Sequence, residues 1–444
     1  MQIPETRYAR SGDLSIAYSV SGSPPPDILY VSNWTSNVEA FWDWAPFARF
    51  IRRLRSFGRV ILFDLPGNGL SDPVAVDNVP TIEQWMDHVR VVMDAVGSER
   101  AILVAEGAAG GLALPFAATH PDRTLGLILI GSFARLAADD DYAHGFPLDT
   151  LPQGLEWFLD RWGTGMQLQL TAPSVANDPY EVEAMARAER HSASPGIARA
   201  FFTMISQIDV RDVLPTVHVP TLVIHKEGDL WIRAAHGRYL AEHIEDARYL
   251  EIPGEDHYVF YGDMQTALGE IRSFVQSVPE RDERDRVLAT MLFTDIVDST
   301  ARASSLGDRR WREQLDKHDA IVREEIARFR GREVKTLGDG FLATFDGTAR
   351  AVRCGLAIKS ALRAIPMHVR VGVHAGEIER RGEDVGGIAV HVAARIASLA
   401  GAGELLVSQT VKDLTIGSGL IFEDHDVHTL KGVPGEWRLY AVAG

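Results

Sequence analysis

The sequence predicts two units of different fold class: an α/β unit with a parallel-sheet core and a helical cap, then an α+β unit. Three observations predict this. Over the first 278 residues, short apolar runs alternate with longer amphipathic segments. That alternation stops at the charged run Pro279-Glu-Arg-Asp-Glu-Arg-Asp-Arg286. Beyond it, helical patterns mix with hairpin patterns, which suits helices laid against a mainly antiparallel sheet. A chain of 444 residues also exceeds one ordinary core. The expected boundaries are 1–278, a linker at 279–287, and 288–444.

In the first unit, Ile28 to Ser32, Val60 to Asp64, Ala101 to Ala105, Thr124 to Ile130 and Pro220 to His225 read as buried strands. Trp42 to Leu54, Thr81 to Val96 and Gly110 to His120 read as the helices between them. Strands alternating with helices imply a parallel sheet covered on both faces. From about 136 to 200 the pattern breaks. That stretch is helical in composition, gathers Trp157, Phe158 and Trp162, and is expected to be an inserted cap. Ala247 to Ile252 and Met264 to Val278 read as the last strand and helix.

Two motifs here, Phe63-Asp-Leu-Pro-Gly-Asn-Gly-Leu-Ser-Asp72 and Phe116-Ala-Ala-Thr-His-Pro-Asp-Arg123, resemble those of the α/β-hydrolase family, over roughly Ile3 to Val278. The resemblance implies a triad acid at Asp229, in Glu227-Gly-Asp229, and a triad histidine at His257, in Gly254-Glu-Asp-His257. The nucleophile departs from the family. Covalent hydrolysis needs Ser, Cys or Asp on a sharp strand-to-helix turn among small residues. The elbow reads Leu103-Val-Ala-Glu-Gly-Ala-Ala-Gly-Gly111. Counting from the strand puts Gly107 in the nucleophile's place, whereas fitting the glycines puts Ala109 there. Neither side chain can attack a carbonyl.

Glu106 would point away from the site if Gly107 is the apex, and Ser132 follows a different strand. Where the family keeps a small, often Gly-containing oxyanion turn, this chain has Ser32-Asn-Trp-Thr-Ser36. The expectation is a non-catalytic unit that binds a small molecule or serves as a packing module. Asp229 and His257 then remain as a hydrogen-bonded pair or orient a ligand; alternatively His257 only caps local structure. The charged run that follows suits a solvated linker. Glu280 with Arg284 and Asp282 with Arg286 stand at i,i+4 spacing, so a short exposed helix is the alternative.

In the second unit, Leu288 to Phe293 and Val369 to Ala375 read as strands, and Val334 to Leu337 with Phe341 to Phe345 as a hairpin. Glu404 to Ser408 and Trp437 to Val442 read as late strands; Trp311 to Phe329, Ala349 to Ala364 and Gly387 to Leu399 read as helices. Gly338 and Gly340 flank Asp339 at the hairpin tip, because glycine accepts positive φ. Asp295 follows the first strand. If the strands are neighbours, the two carboxylates converge in an open site, which suits Mg²⁺. The loop Ile296-Val-Asp-Ser-Thr300 could offer N–H groups to a phosphate.

Thr294-Asp-Ile296 and Lys335-Thr-Leu-Gly-Asp-Gly340 resemble the two metal-binding signatures of class III nucleotidyl cyclases, from about Leu288 onward. The resemblance implies two Mg²⁺ or Mn²⁺ ions per active site on Asp295 and Asp339. Lys335 falls where adenylate-forming members place a donor to adenine N1. Asp384, in Glu383-Asp-Val-Gly-Gly387, falls where they place an acceptor for the N6 amino group. His391 and Arg395 share one helix face at i,i+4 spacing, where the family holds an Asn and an Arg beside ribose and phosphate. Arg395 matches and His391 departs. Lys431, in Leu430-Lys-Gly432, is a candidate triphosphate contact.

The implied reaction is cyclisation of ATP to 3′,5′-cyclic AMP and pyrophosphate by two-metal catalysis. Sites form between the subunits of a homodimer, with the first unit regulating or assembling them. An inactive binding and dimerisation scaffold, and a guanylate cyclase, are the alternative readings.

Composition narrows the partners. The chain is 46% hydrophobic and 24% charged, ordinary for a globular protein. Its net charge of −16 falls wholly within residues 1–287, and residues 288–444 balance. A broad acidic surface repels phosphate backbones, so no nucleic-acid partner is expected. Apolar runs fall short of the roughly 18 residues of a membrane helix, and the N-terminus lacks a signal-peptide pattern. A single cysteine, Cys354, suits a reducing compartment. A cytoplasmic protein without a membrane partner is expected.

Overall fold

The computed structural model describes residues 3–278 except 32 and 34, and residues 286–443 except 337, 366 and 383. The chain separates into two units, Met1–Glu283 and Arg284–Gly444. The expected linker lies outside the described residues up to 285; Arg286 and Val287 already belong to a strand. Among the described residues, no helix is long and apolar enough to cross a membrane.

The first unit has strands β1 (Thr6–Ser11), β2 (Leu14–Ser21), β3 (Asp27–Val31), β4 (Arg59–Phe63), β5 (Ala101–Glu106), β6 (Thr124–Ile130), β7 (Thr221–Lys226) and β8 (Arg248–Ile252). They form one sheet in the order β1-β2-β4-β3-β5-β6-β7-β8. From β4 to β8 every pairing is parallel, whereas β1–β2 and β2–β4 are antiparallel. All six residues of central β5 are buried, the apolar run Ala101 to Ala105 as a strand covered on both faces requires, and Glu106 at its end with them. Behind it the helix Gly110–Thr119 is buried on every side, which its wholly apolar and small composition permits.

The helix Ile82–Ala95 begins at a capping box in which Thr81 and Gln84 bond each other's backbone N–H. The cap helices are Leu151–Leu159, Leu168–Thr171, Pro179–Ser192 and Pro195–Ile205. The cap thus continues past the expected end at 200. Asp178 and Ser194 start its two long helices, each accepting a backbone N–H bond immediately before a proline.

The second unit has β9 (Arg286–Ile296), β10 (Arg332–Thr336), β11 (Gly340–Phe345), β12 (Val369–Arg381), β13 (Asp384–Gly386), β14 (Leu405–Ser408), β15 (Phe422–Thr429) and β16 (Glu436–Val442). Their order is β10-β11-β9-β12-β14-β16-β15, with β13 paired to β12. All pairings are antiparallel except β12–β14. The helix Ile388–Leu399 lies tightly over β12: a β-carbon on Gly372 would stand 2.2 Å from Ala397 N. Four strands differ from the sequence reading, β13 being one that it did not assign. β9 runs through Asp295, β12 continues beyond Ala375 to Arg381, and β15 is an additional, mostly exposed polar strand.

Candidate active site

β9 and β11 are neighbours, with Gly340 opposite Asp295. Gly338, at φ +87°, turns the hairpin. Gly340 serves another purpose, since a β-carbon there would stand 2.1 Å from Thr294 O. Only a glycine lets β11 close on β9 at this level, which sets Asp339 beside Asp295 at the strand ends. On the other flank of β9, Arg370 of β12 pairs in register with Asp295. Its Nε donates to Asp295 Oδ2 at 2.7 Å, and its Nη2 makes a second, shorter contact.

Both side chains of that pair are about one-third exposed. Among the described residues, no group of three or more His, Cys, Asp or Glu could hold a metal ion. Two open carboxylates fit a hard cation that keeps water and phosphate oxygens for its remaining positions.

Lys335 on β10 reaches Asp384 at the start of β13, with Nζ donating to Oδ1 at 2.9 Å and Oδ2 at 3.1 Å. The β12–β13 hairpin turns at Gly382, at φ +63°, and Arg332 on β10 donates to Gly382 O at 3.2 Å. An ion pair this exposed contributes only about 0.2–1 kcal/mol to stability. Its consequence is chemical: a cationic donor and an anionic acceptor stand side by side and open to solvent.

On the helix Ile388–Leu399, Val392, Ala393, Ile396 and Ala397 face the sheet, and His391 with Arg395 face outward. Arg395 Nε donates to the Lys431 backbone O at 3.0 Å, which ties the helix to the turn between β15 and β16 that carries Lys431. His391 stands one helical turn from Arg395.

In the first unit β5 ends at Glu106, and Gly107 turns the chain at φ +59°. A β-carbon on Gly107 would stand 3.1 Å from His257 Nε2 and 2.9 Å from Asn33 Nδ2. Gly107 is therefore the apex facing the histidine. Ala109 has helical φ −61° and is buried at the start of the next helix. His257 Nδ1 lies 2.8 Å from Asp229 Oδ2, and Asp229 Oδ1 accepts N–H bonds from Trp231 and Ile232, both at 2.9 Å. Burial alone would raise the Asp229 pKa, but His257 and His225 hold it well below the carboxylate range. Burial opposes charging of His257, and Asp229 outweighs it, so the imidazole pKa is raised.

Ser132 Oγ donates to backbone carbonyls at Ala105 and Ile130, 3.4 and 3.3 Å away. Glu106 turns to Tyr30, whose hydroxyl donates to it at 2.7 Å, and burial raises the Glu106 pKa.

Residues 37–263 match the family described as alpha/beta hydrolase fold, and residues 282–444 match the Adenylate and Guanylate cyclase catalytic domain. This chain is an α/β-hydrolase-fold protein that carries a class III cyclase domain. The hydrolase domain is 24% identical over 256 residues to the pimeloyl-acyl-carrier-protein methyl ester esterase of Neisseria meningitidis serogroup C, covering 56% of this chain and 94% of the esterase. It shares its fold with a bromoperoxidase from Bacillus anthracis at 20% identity and a TM-score of 0.52, over 62% of this chain and 100% of that one. The cyclase domain is 32% identical over 133 residues to "Putative adenylate cyclase 3" of Rhizobium meliloti, covering 28% of this chain and 22% of that protein.

Arg370 escapes the sequence reading, and Asn33 enters it only as part of the altered turn Ser32-Asn-Trp-Thr-Ser36. Arg370 of the cyclase domain left a signal, a lone cation in the apolar run Val369-Arg-Val-Gly-Val373. Asn33 of the hydrolase domain left none beyond its position after β3; its neighbours Ser32 and Trp34 lie outside the described residues.

Proposed function

We propose that the cyclase domain is an adenylate cyclase. The ribose 3′-oxygen of ATP bonds to the α-phosphorus as the bond to pyrophosphate breaks, and 3′,5′-cyclic AMP forms. The observation that carries this reading is the Lys335–Asp384 pair. Adenine presents an amino donor beside an unprotonated ring nitrogen, matching a carboxylate acceptor beside an ammonium donor. Guanine presents an oxygen acceptor beside a protonated nitrogen on that edge, and the match is lost.

Asp295 and Asp339 would hold two Mg²⁺ or Mn²⁺ ions, and class III cyclases are generally metal-dependent. Such ions, when bound, neutralise phosphate charge and lower the pKa of the 3′-hydroxyl. The chain's own side chains do the rest by position and charge. Arg395 offsets charge growing on the α-phosphate, Lys431 holds the triphosphate, and His391 offers a hydrogen bond in place of the usual Asn. Arg370 can pass from Asp295 to a phosphate oxygen, because its guanidinium is only partly enclosed.

Sites of this kind draw metal-binding and purine-binding residues from two subunits. The helix Ile388–Leu399 leaves Ile388 57% and Leu399 41% exposed beside His391 and Arg395, which supports a second copy as partner. The hydrolase domain is read as a non-catalytic, ligand-binding regulator: Gly107 supplies no nucleophile, and His257 and Asn33 close on its place. The test is product analysis from ATP with Mg²⁺ or Mn²⁺. Equimolar cyclic AMP and pyrophosphate are expected; ADP, 5′-AMP or no product overturns the reading.

A further inference from the structure

The hydrolase domain contains a cavity beside its vacant elbow. Its aromatic wall is built around Trp44, whose ring meets Tyr258 at 5.2 Å and 89°. The two rings pack edge to face, and aromatic surface bordering a cavity attracts organic cations. Tyr30 joins them on the same lining. Three carboxyl side chains, Asp64, Glu106 and Glu189, also line the cavity, and no Lys, Arg or His does among the described residues.

The three acids differ in what already binds them. Glu189 accepts from Gly165 N–H at 3.0 Å and Gln167 Nε2 at 2.6 Å, and burial raises its pKa. Glu106 keeps spare acceptor capacity: Tyr30 bonds one oxygen at 2.7 Å, and the Val259 N–H is 3.4 Å from the other. Asp64 is fully buried; its Oδ2 accepts from Val38 and Leu70 N–H groups, while its Oδ1 has no hydrogen-bond partner. The Ser36 hydroxyl lies close enough to this carboxyl to help hold its pKa down against the rise that burial causes. A wall of acids without a base rejects anions.

We propose that the hydrolase domain binds a small organic cation, an alkylammonium with an apolar body, in the cavity walled by Asp64, Glu106, Glu189, Tyr30, Trp44 and Tyr258. This rests on reading the domain as a ligand-binding module. The cap helix Pro179–Ser192 closes the cavity, placing Met185 on its wall.

The experiment compares tetramethylammonium, pivalate and tert-butanol, which have similar bulk and different charge, by calorimetric titration of the full chain. Saturable binding of tetramethylammonium alone is expected, at least tenfold weaker in Glu106→Gln, which keeps the shape and loses the charge. Filling the cavity with Met185→Trp is expected to abolish it. Undiminished binding in both variants overturns the site. Preferred binding of pivalate or tert-butanol, lost in Met185→Trp, overturns the cationic class and leaves the module reading standing. Failure of all three to bind, with a cyclase rate unchanged by Met185→Trp, overturns both.

Discussion

Lys335 and Asp384 stand 49 residues apart in the sequence, yet the Lys335 ammonium lies 2.9 Å from one Asp384 oxygen and 3.1 Å from the other. The hairpin joining β12 to β13 brings them together, and the exposed pair adds little stability of its own. If the pair reads the base, as proposed, donor and acceptor are fixed before it arrives, so less side-chain freedom is lost on binding.

Asp295→Ala is expected to reduce cyclase turnover at least about a hundredfold, since a charge-bearing group at the reacting phosphates is lost. Its partner Arg370 is only part-enclosed, so the stability change should stay near 1 kcal/mol. Turnover with a melting curve on the same sample checks both. Retained activity removes the metal assignment.

Gly340→Ala tests the close approach of β11 to β9. With Thr294 O only 2.1 Å from the new carbon, the strands must part, and Asp339 moves away from Asp295. Destabilisation of about 1–3 kcal/mol and a large loss of turnover are expected, measured by urea unfolding and initial rate. Gly338→Ala meets no atom within 4 Å and should act only through its positive φ, costing about 1–2 kcal/mol.

Gly107→Ser is expected to leave the hydrolase domain without esterase activity, although the Asp229–His257 pair is in place. The added side chain enters space already taken by Asn33 Nδ2 and His257 Nε2. Adding Asn33→Gly to it opens that space, and turnover of p-nitrophenyl acetate should then appear. Turnover in the single variant contradicts the closed geometry.

The pH dependence of stability has a local source in the cyclase domain. Burial pushes His374 down to about 3, with its Nδ1 2.8 Å from Ser408 Oγ. An unfolded histidine protonates near 6.5. Between those values the unfolded chain binds a proton that the folded chain refuses. Stability is therefore full above about pH 6.5 and falls as pH drops toward 3, by up to about 1.4 kcal/mol per unit. Urea unfolding at pH 7 and pH 5 should give a shallower slope for His374→Gln than for the parent chain; equal slopes contradict the assignment.

Much of this architecture was legible in the sequence, for reasons that also explain the misses. β5 and β6 are apolar runs interrupted only at one end, by Glu106 and Thr124, and burial on both faces favours that. β1 and β2 mix small and polar residues at an antiparallel edge, so they carry no such signature. The same holds for β15, whose Glu, Asp and His side chains are mostly exposed.

At the site, the glycines around Asp339 announced a turn, but the reason for Gly340 lies in Thr294 on another strand. Pairwise meetings across strands leave little local trace: Arg370 stands out as a lone cation in an apolar run, but nothing near it names Asp295 as its partner. The sequence left Gly107 and Ala109 as equal candidates, and only the direction of His257 separates them.

The most direct measurement is the ratio of kcat/KM for ATP and GTP in the parent chain and in Lys335→Glu. The parent chain should favour ATP at least tenfold, and the substitution should collapse that ratio by a similar factor, mainly through loss on ATP. A parent chain that favours GTP, or a ratio that Lys335→Glu leaves unaltered, would contradict the assignment of Lys335 and Asp384 to the base.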